Sequence, residues 1–361
     1  MKKVQVFLIG VLLFISHFIF SQETIENKID SSNKLKAREV WLEKELEIGG
    51  QKQEGGYIFG SIRSFRVDDE GNIFVIDTKA RKLTKFDKQG KLVWKIGKTG
   101  QGPGEFQLLS GIELGKNNSV LVYDIGNRRI AYFSQDGKLL EEISTANQIR
   151  LFRVDDNSKG MFYGTIILRF EGRSEYFLNK FDRNFNIIKQ LYKLELKRVR
   201  NEINFYSASI RYRIRNDDNI VYASTSEYIF YIADEEDTIR KVIVNKYKPI
   251  KITKADKKRE FEERYGGRTL PPELKFIFPD YYPPIEHLLI DDQDNIFVRT
   301  YERTKDGAHY YDYFYAEGRY IASFPMKETI FCIRGDRFYT LEEDEEGYQK
   351  IVRYRYRLKL K

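Results

Sequence analysis

Cysteine is almost absent from this sequence. The single cysteine, Cys332, cannot form a disulfide within the chain, so the fold must depend on its core and not on covalent cross-links. Cys332 lies in the apolar run at residues 330–333, a setting that favours a buried thiol over a reactive nucleophile. The sequence therefore excludes the class of small domains that are held together by disulfides.

Histidine is also scarce, and only His287 and His309 lie beyond the first twenty residues. The chain has no cluster of histidines and cysteines with the spacing of a zinc site, and no Gly-x-Ser-x-Gly motif. The acidic turn at residues 291–294 lacks the spaced oxygen donors of a calcium loop, which favours an ordinary hairpin turn. We therefore predict neither a bound metal nor a cofactor.

Long apolar runs are absent except near the N-terminus. Lys2 and Lys3 precede an almost entirely apolar run at residues 4–20, and the small residue Ser21 follows it. This order is typical of a secretory signal peptide, predicted here to span residues 1–21, with a retained membrane anchor as the alternative. We therefore expect secretion across the inner membrane, to the periplasm or the outside, with no membrane attachment after cleavage. Residues 22–39 are predicted to form a linker.

Neither sign of charge dominates the sequence. The chain carries 62 basic and 54 acidic residues, a formal net charge of +8, and the two signs are interspersed. This mixture favours a solvated surface, so we predict no nucleic-acid partner. The basic and aromatic tail at residues 353–359 alternates with a period of two, which indicates a strand. We expect a monomer that binds a ligand or a protein partner.

The feature that the sequence does contain is a repeat of roughly forty residues, made of short strands and turns. Six copies align, with second strands at residues 73–77, 120–124, 161–163, 219–222, 295–298 and 338–340. A repeat of this length and content is typical of the blades of a β-propeller. We therefore predict an all-β fold, a six-bladed β-propeller that spans residues 40–361.

The sixth copy lacks a fourth strand, and a candidate for it lies at the other end of the propeller. The segment at residues 42–49 alternates like a strand and ends in Ile-Gly, as the last strand of the first copy does. Its acidic face, Glu43, Glu45 and Glu47, complements the basic tail. We predict that this N-terminal strand completes the last blade, which closes the ring and removes its free edges.

One segment, residues 245–284, interrupts the repeat. It contains six of the eight prolines, a predicted helix at residues 254–265 and a loop rich in proline and aromatic residues. Thr253 and Asp256 have the spacing of a capping box at the start of that helix. We expect this insert to pack against the rim of the propeller, with a cap over one mouth of the channel as the alternative.

The first copy resembles the NHL repeat. The resemblance rests on Val67-Asp68, the strand and turn at residues 71–77 and the glycine-rich segment at residues 97–106. The insert followed by Leu-Ile-Asp-Asp is similar to a family of uncharacterised secreted six-bladed propellers of Bacteroidota. The resemblance implies the fold but no single activity, because propellers of the NHL type include binding modules and lyases.

Arginines recur on the predicted inner strands, which surround the central channel. The candidate site residues are Arg63, Arg66, Arg150, Arg153, Arg211, Arg213 and His287. Alignment of the copies places Arg66, Arg153 and Arg213 at one position of the inner strand. Because the inner strands all start at one mouth, these arginines predict an anion-binding mouth, with pairing to turn aspartates as the alternative.

These observations predict a secreted binding module for an anionic small molecule, glycan or peptide at the channel mouth. The alternative is a propeller enzyme, either a lyase or a metal-assisted hydrolase of the lactonase type. The two predictions differ in the channel. Carboxylates that converge from several blades would favour the enzyme, and a mouth of arginines and aromatic side chains would favour binding.

Overall fold

The structure is a computed structural model that describes residues 23–28, 39–51, 57–115, 119–146, 151–245 and 247–359. Within these residues it contains six large β-sheets, one small two-stranded sheet and one α-helix. Five of the large sheets have four strands and the sixth has five. The predicted signal peptide, residues 1–21, lies outside the described residues.

The strands follow one another in the order expected of a propeller. The first two strands of the chain are β1 (Glu23–Lys28) and β2 (Glu39–Gly49). Blade 1 contains β3 (Ile62–Val67), β4 (Ile73–Asp77), β5 (Lys82–Phe86) and β6 (Leu92–Ile96). Blade 2 contains β7 (Leu109–Leu114), β8 (Val120–Asp124), β9 (Arg129–Phe133) and β10 (Leu139–Ser144). Blade 3 contains β11 (Leu151–Asp156), β12 (Phe162–Arg169), β13 (Arg173–Phe181) and β14 (Ile187–Lys197).

The second half of the chain continues this pattern around the insert. The short strand β15 (Glu202–Asn204) precedes blade 4, which contains β16 (Ile210–Ile214), β17 (Ile220–Ser224), β18 (Ile229–Ala233) and β19 (Ile239–Asn245). The insert contains α1 (Lys254–Tyr265) and β20 (Lys275–Ile277). Blade 5 contains β21 (His287–Ile290), β22 (Ile296–Arg303), β23 (His309–Phe314) and β24 (Tyr320–Met326). Blade 6 contains β25 (Ile330–Arg334), β26 (Arg337–Glu343) and β27 (Gln349–Lys359).

The second strand of a blade is the most deeply buried. Every residue of β4 and of β8 is buried, whereas β6 at the outer edge of blade 1 is largely exposed. Strands that are covered on both faces read as continuous apolar runs, as these two do. The cores therefore lie between adjacent blades: Phe74 and Ile76 of blade 1, for example, pack in one cluster with Ile112 and Val122 of blade 2.

The six inner strands form a closed ring around the channel. Contacts join β3 to β7, β7 to β11, β11 to β16, β16 to β21, β21 to β25 and β25 back to β3. Strand β2 pairs antiparallel with β27, from Glu39 opposite Lys359 to Gly49 opposite Lys350, and so supplies the fourth strand of blade 6. The predicted six-bladed propeller, closed by an N-terminal strand, is therefore confirmed.

The range 22–39, interpreted from the sequence as a linker, contains a docked strand, so that interpretation needs correction. Strand β1 pairs in parallel with β19 and becomes the fifth strand of blade 4. Asn27 ties it to blade 5, because its Nδ2 donates to the Gly318 carbonyl at 2.9 Å and its Oδ1 accepts from the Tyr320 N–H at 2.9 Å. No helix among the described residues is long and apolar enough to cross a membrane.

Two buried aspartates position the loops that enter the inner strands. Asp77, at the end of β4, accepts hydrogen bonds from the backbone N–H groups of Gly60 at 2.6 Å and Ser61 at 3.0 Å. Asp124 occupies the same place in blade 2 and accepts from two consecutive loop N–H groups. Both carboxylates are almost completely shielded from solvent. These contacts hold the loops that lead into β3 and β7, and so fix where these two inner strands begin to line the channel.

The insert packs against the rim of the propeller. Helix α1 begins after Thr253 with a complete capping box, and β20 pairs in parallel with β15. Phe205, just after β15, stacks on Phe278 of the insert with 4.0 Å between ring centroids. Tyr282 of the insert stacks on Tyr301 of blade 5 at 4.6 Å. Among residues 247–284 of the insert, none lines the channel cavity described below.

Candidate functional site

The starts of the inner strands surround a cavity of about 390 Å³ at one mouth of the channel. Its lining includes five of the seven predicted site residues: Arg63, Arg66, Arg211, Arg213 and His287. Arg150 lies outside the described residues, and only the backbone of Arg153, in β11, is described. The sequence thus identified residues that the fold brings together from blades 1, 4 and 5.

A β-bulge recurs near the start of the inner strand and sets which side chains reach the mouth. In blades 1, 2 and 6 the strand register shifts at Arg63, Ser110 and Phe331, so that each is an extra residue without a direct partner. A bulge of this kind re-aims the side chain beside it. All three residues line the cavity, although Ser110 and Phe331 were not predicted. A bulge has no composition signal in a single sequence, which explains the omission.

Arg66 is part of an ion pair in the wall of the channel. Its Nε lies 2.7 Å from Glu113 Oε2, and its Nη2 contacts Glu113 Oε1. A third donor, Nη1, bonds to the Phe65 carbonyl at 2.9 Å. The charge of Arg66 is therefore balanced by the inner strand of blade 2, and not by a turn aspartate. Arg66 therefore stabilises the channel wall, and its charge contributes little to the attraction of a ligand.

The alignment that placed Arg153 beside Arg66 is wrong by two residues. In blade 3, Asp156 pairs with Phe162 at the end of the inner strand, as Val67 pairs with Ile73 in blade 1. The equivalent of Arg66 is therefore Asp155, which lines the cavity. The error arises because Arg-Val-Asp occurs in both inner strands but ends two residues earlier, relative to the turn, in blade 3.

Blade 4 supplies two arginines to the mouth. Arg211 Nε donates to the Glu286 carbonyl at 3.2 Å, and Arg213 Nη1 donates to the Tyr212 carbonyl at 2.8 Å. His287 lies next to them on blade 5. Burial lowers the pKa of His287 to about 4, and the nearby arginines act in the same direction while Glu286 opposes them. The imidazole is therefore neutral at pH 7 and offers hydrogen bonds without charge.

Glu286 is a largely buried residue that contacts Arg211 and directly precedes His287 in the chain. Its Oε2 lies 3.1 Å from both Arg299 Nε and His309 Nδ1. Burial opposes ionisation of Glu286, but the close approach of His309 and the charge of Arg299 hold its pKa below the usual value. The backbone of Glu286 contacts Arg211, so this buried ion cluster fixes the position of Arg211 and of the adjacent His287. Nothing in the spacing of these residues predicted the cluster.

The opposite mouth of the channel is more acidic. It contains a smaller cavity, about 170 Å³, which shares Arg66 and Arg213 with the first cavity. The rest of its lining includes Arg215, Arg334, Asp156, Asp218, Asp291 and Cys332. Each aspartate already accepts hydrogen bonds: Asp156 from Tyr132, Asp218 from Ser158 and Asp291 from its own turn. Burial raises the pKa of the Cys332 thiol, which disfavours a nucleophile there. Among the described residues, no group of three or more His, Cys, Asp or Glu side chains is placed to hold a metal ion.

The ring of six blades and its central channel define the class of this protein, a six-bladed β-propeller. More specifically, the chain belongs to the DUF5128 family, described as a 6-bladed beta-propeller, whose sequence profile matches residues 57–268. The human NHL repeat-containing protein 3 is 32% identical over 73 residues, which are 19% of this chain and 21% of the human protein. The chain thus matches about a fifth of that relative.

Two solved structures from Bacteroides share the fold over nearly the whole chain. A protein of Bacteroides fragilis described as exported aligns over 92% of this chain and 99% of its own, with 14% identity and a TM-score of 0.51. A member of the DUF4221 family from Bacteroides vulgatus aligns over 90% of this chain and all of its own, with 12% identity and a TM-score of 0.51. The predicted resemblance to NHL-type propellers of Bacteroidota is therefore confirmed, as a statement about fold.

Proposed function

We propose that this propeller is a secreted binding module that holds an anionic ligand at the mouth formed by the starts of its inner strands. One observation carries the proposal: beside the Arg66–Glu113 ion pair, the cavity there is lined by three arginines, Arg63, Arg211 and Arg213, against one further carboxylate, Asp155. Guanidinium groups that converge on a partly enclosed cavity favour carboxylates, phosphates and acidic glycans. Arg63 is exposed, and so accessible to an arriving anion.

The distribution of acidic groups favours binding over catalysis. Carboxylates do approach one another at the opposite mouth, but Asp218 and Asp291 hold backbone N–H groups of turns and strands. Such aspartates stabilise the blades and are not available to a substrate. At the proposed site His287 is neutral, and the Glu113 carboxylate in the same lining is held in an ion pair with Arg66. This arrangement favours binding of an anion over a lyase or lactonase activity.

Secretion is the second part of the proposal. It is supported by the charged and apolar order of residues 1–21 and by the likeness to a Bacteroides fragilis protein described as exported. The ligand would then be met in the periplasm or outside the cell. Its direct test is the N-terminal sequence of the protein recovered from a Bacteroides host, which is expected to begin at Gln22.

Titration calorimetry with acetate, phosphate and an oligogalacturonide tests the binding site itself. We expect at least one of these anions to bind, and Arg211→Gln and Arg63→Gln each to weaken it by about tenfold, since one charge-assisted contact contributes roughly that factor. Arg319→Gln is the matched control, because Arg319 lies on a turn of blade 5 outside the cavity and pairs with Glu317. Unchanged affinity in both site variants would refute the proposed site.

A further inference from the structure

The wall of the cavity at the inner-strand starts is divided into a charged and an apolar part. Arg63 comes from blade 1, and Arg211 and Arg213 come from blade 4. Blades 5 and 6 lie between these two on one side of the ring. The residues that they add to the lining, apart from His287, are apolar: Leu289, Ile330 and Phe331.

Phe331 is the most accessible of these apolar residues. It is the bulged residue of β25, and it is partly exposed, whereas Leu289 and Ile330 are buried. One ring face is supported by Phe65, since the two rings stack with 5.2 Å between centroids and an interplanar angle of 20°. The ring is thus held in place by the core of blade 1 and is still part of the cavity wall. An aromatic ring held in this way is a preorganised contact surface for an apolar group.

The cavity wall on the opposite side of the propeller, formed by blades 2 and 3, is polar. Blades 2 and 3 contribute Ser110, Gly111, Glu113, Asp155 and Thr165 to the lining. A ligand that carried charge over its whole surface would therefore have to place some of it against the apolar wall of blades 5 and 6. Removing a charged or polar group from water without a hydrogen bond is costly, so that wall selects against such a ligand.

We infer that the ligand of this mouth is an amphipathic organic carboxylate, with its anionic group at the arginines and an aryl or alkyl body against Phe331, Leu289 and Ile330. This inference rests on the proposed anion site and adds the chemical class of its ligand. The cavity of about 390 Å³ suits a small molecule of this kind, because small-molecule pockets have volumes of about 300 to 1,000 Å³. Inorganic anions leave the apolar wall uncovered, and acidic sugars place hydroxyl groups against it.

Four probes separate the contributions of the two walls: 4-phenylbutyrate, acetate, glucuronate and 4-phenylbutanol. Calorimetric titration of the purified protein is expected to give an affinity for 4-phenylbutyrate at least about tenfold above that for acetate or glucuronate, because burial of the phenyl ring adds to the same ionic contact. The alcohol keeps the ring but lacks the anion, and it is expected to bind at least tenfold more weakly than 4-phenylbutyrate.

Phe331→Ala tests whether the preference for 4-phenylbutyrate over acetate comes from the apolar wall. We expect this variant to lose most of the advantage of 4-phenylbutyrate over acetate while the affinity for acetate stays within about twofold. Phe331→Leu, which keeps an apolar contact with Phe65, is expected to retain part of the preference. The melting temperature of each variant shows whether it is folded, and the comparison of probes on the unmodified protein does not depend on either variant.

The outcomes distinguish this inference from the proposed function. If glucuronate or acetate binds as tightly as 4-phenylbutyrate, the inferred ligand class is wrong although the anion site stands. The same holds if Phe331→Ala weakens all three anions equally. If none of the anions binds, the proposed site itself is wrong. Tight binding of 4-phenylbutanol would show an apolar pocket without an anion requirement, which also overturns the inference.

Discussion

Arg66 and Glu113 form a two-point ion pair that joins the inner strands of blades 1 and 2. Arg66 Nε lies 2.7 Å from Glu113 Oε2, and a second guanidinium nitrogen contacts the other carboxylate oxygen. Each side chain retains only 21% of its accessible surface. Because the two charges are largely shielded from water, removal of one leaves the other poorly compensated in the channel wall.

We therefore predict that Glu113→Gln lowers the free energy of unfolding by about 1–3 kcal/mol. The double variant Arg66→Met/Glu113→Met should be less destabilised than the sum of its single variants, since it removes both charges together. Urea unfolding of the unmodified protein, Arg66→Met, Glu113→Met and the double variant gives a double-mutant cycle. A coupling free energy below about 0.5 kcal/mol would contradict the role assigned to this pair.

The closure of the ring depends on Glu45, the carboxylate of β2 that three arginines share. Arg337 Nε, Arg353 Nε and Arg355 Nη2 lie 2.9, 3.1 and 2.7 Å from its oxygens. Glu45→Gln removes the counter-charge that the three arginines share and leaves Asp336 as the acidic partner of Arg337 and Arg355. We expect a loss of about 1–2 kcal/mol in the free energy of unfolding, measured by chemical denaturation at low salt and reduced at 1 M salt.

Glu43→Gln is the matched control for the closure. Glu43 lies two residues earlier on the same strand and is exposed, so its loss is expected to change the free energy of unfolding by less than about 0.5 kcal/mol. Equal effects of the two substitutions would mean that closure depends on backbone pairing and not on this cluster of charges.

The closure was predictable, while the fifth strand of blade 4 was not, and the difference is physical. Strand β2 alternates acidic and apolar residues over a length that matches the basic tail, so both pattern and charge identified its partner. Strand β1, with the sequence ETIENK, is short and mostly polar, and its position depends on parallel pairing with β19 and on the two hydrogen bonds of Asn27 to blade 5. Such contacts depend on the assembled ring and leave no periodicity in the sequence.

The candidate site, too, was predictable only in part. Arg211, Arg213 and His287 were predicted because residues that alternate along an inner strand must face the channel. Phe331 was missed because a bulge interrupts that alternation. Arg153 was misaligned because the sequence does not give the pairing register of β11 with β12. The sequence could thus predict which strands line the channel, but local backbone irregularities determine which side chains reach the mouth.

Asp77 is predicted to be essential to blade 1. Asp77→Ala removes the buried carboxylate that accepts from the N–H groups of Gly60, which is exposed, and Ser61, which is half-buried. A loss of about 1–3 kcal/mol is expected, since a hydrogen bond to a charged group contributes about 1.5–3 kcal/mol. Thermal unfolding followed by circular dichroism measures it. The control is Asp69→Ala on an exposed turn, and a loss for Asp77→Ala no larger than that for Asp69→Ala would refute the assignment.

Asp156 is predicted to make the protein more stable at mildly acidic pH. Burial raises its pKa to about 6, and the charge of Glu113 acts in the same direction, while the hydrogen bond from Tyr132 and the charge of Arg183 oppose the shift. Between the ordinary pKa of 3.8 and about 6 the folded state therefore binds more protons at this site than the unfolded state does. It follows that the contribution of Asp156 to stability falls as the pH rises through this window and is constant above it.

The test compares the unmodified protein with Asp156→Asn, because other carboxylates with lowered pKa values, such as Glu47, contribute the opposite slope in both proteins. The amide stays neutral and still accepts from Tyr132. We expect Asp156→Asn to be more stable by on the order of 2 kcal/mol at pH 7 and to show no advantage at pH 4. Urea unfolding at pH 4, 5, 6 and 7 measures the difference. A constant difference across these four values would show that Asp156 titrates alike in the folded and unfolded states.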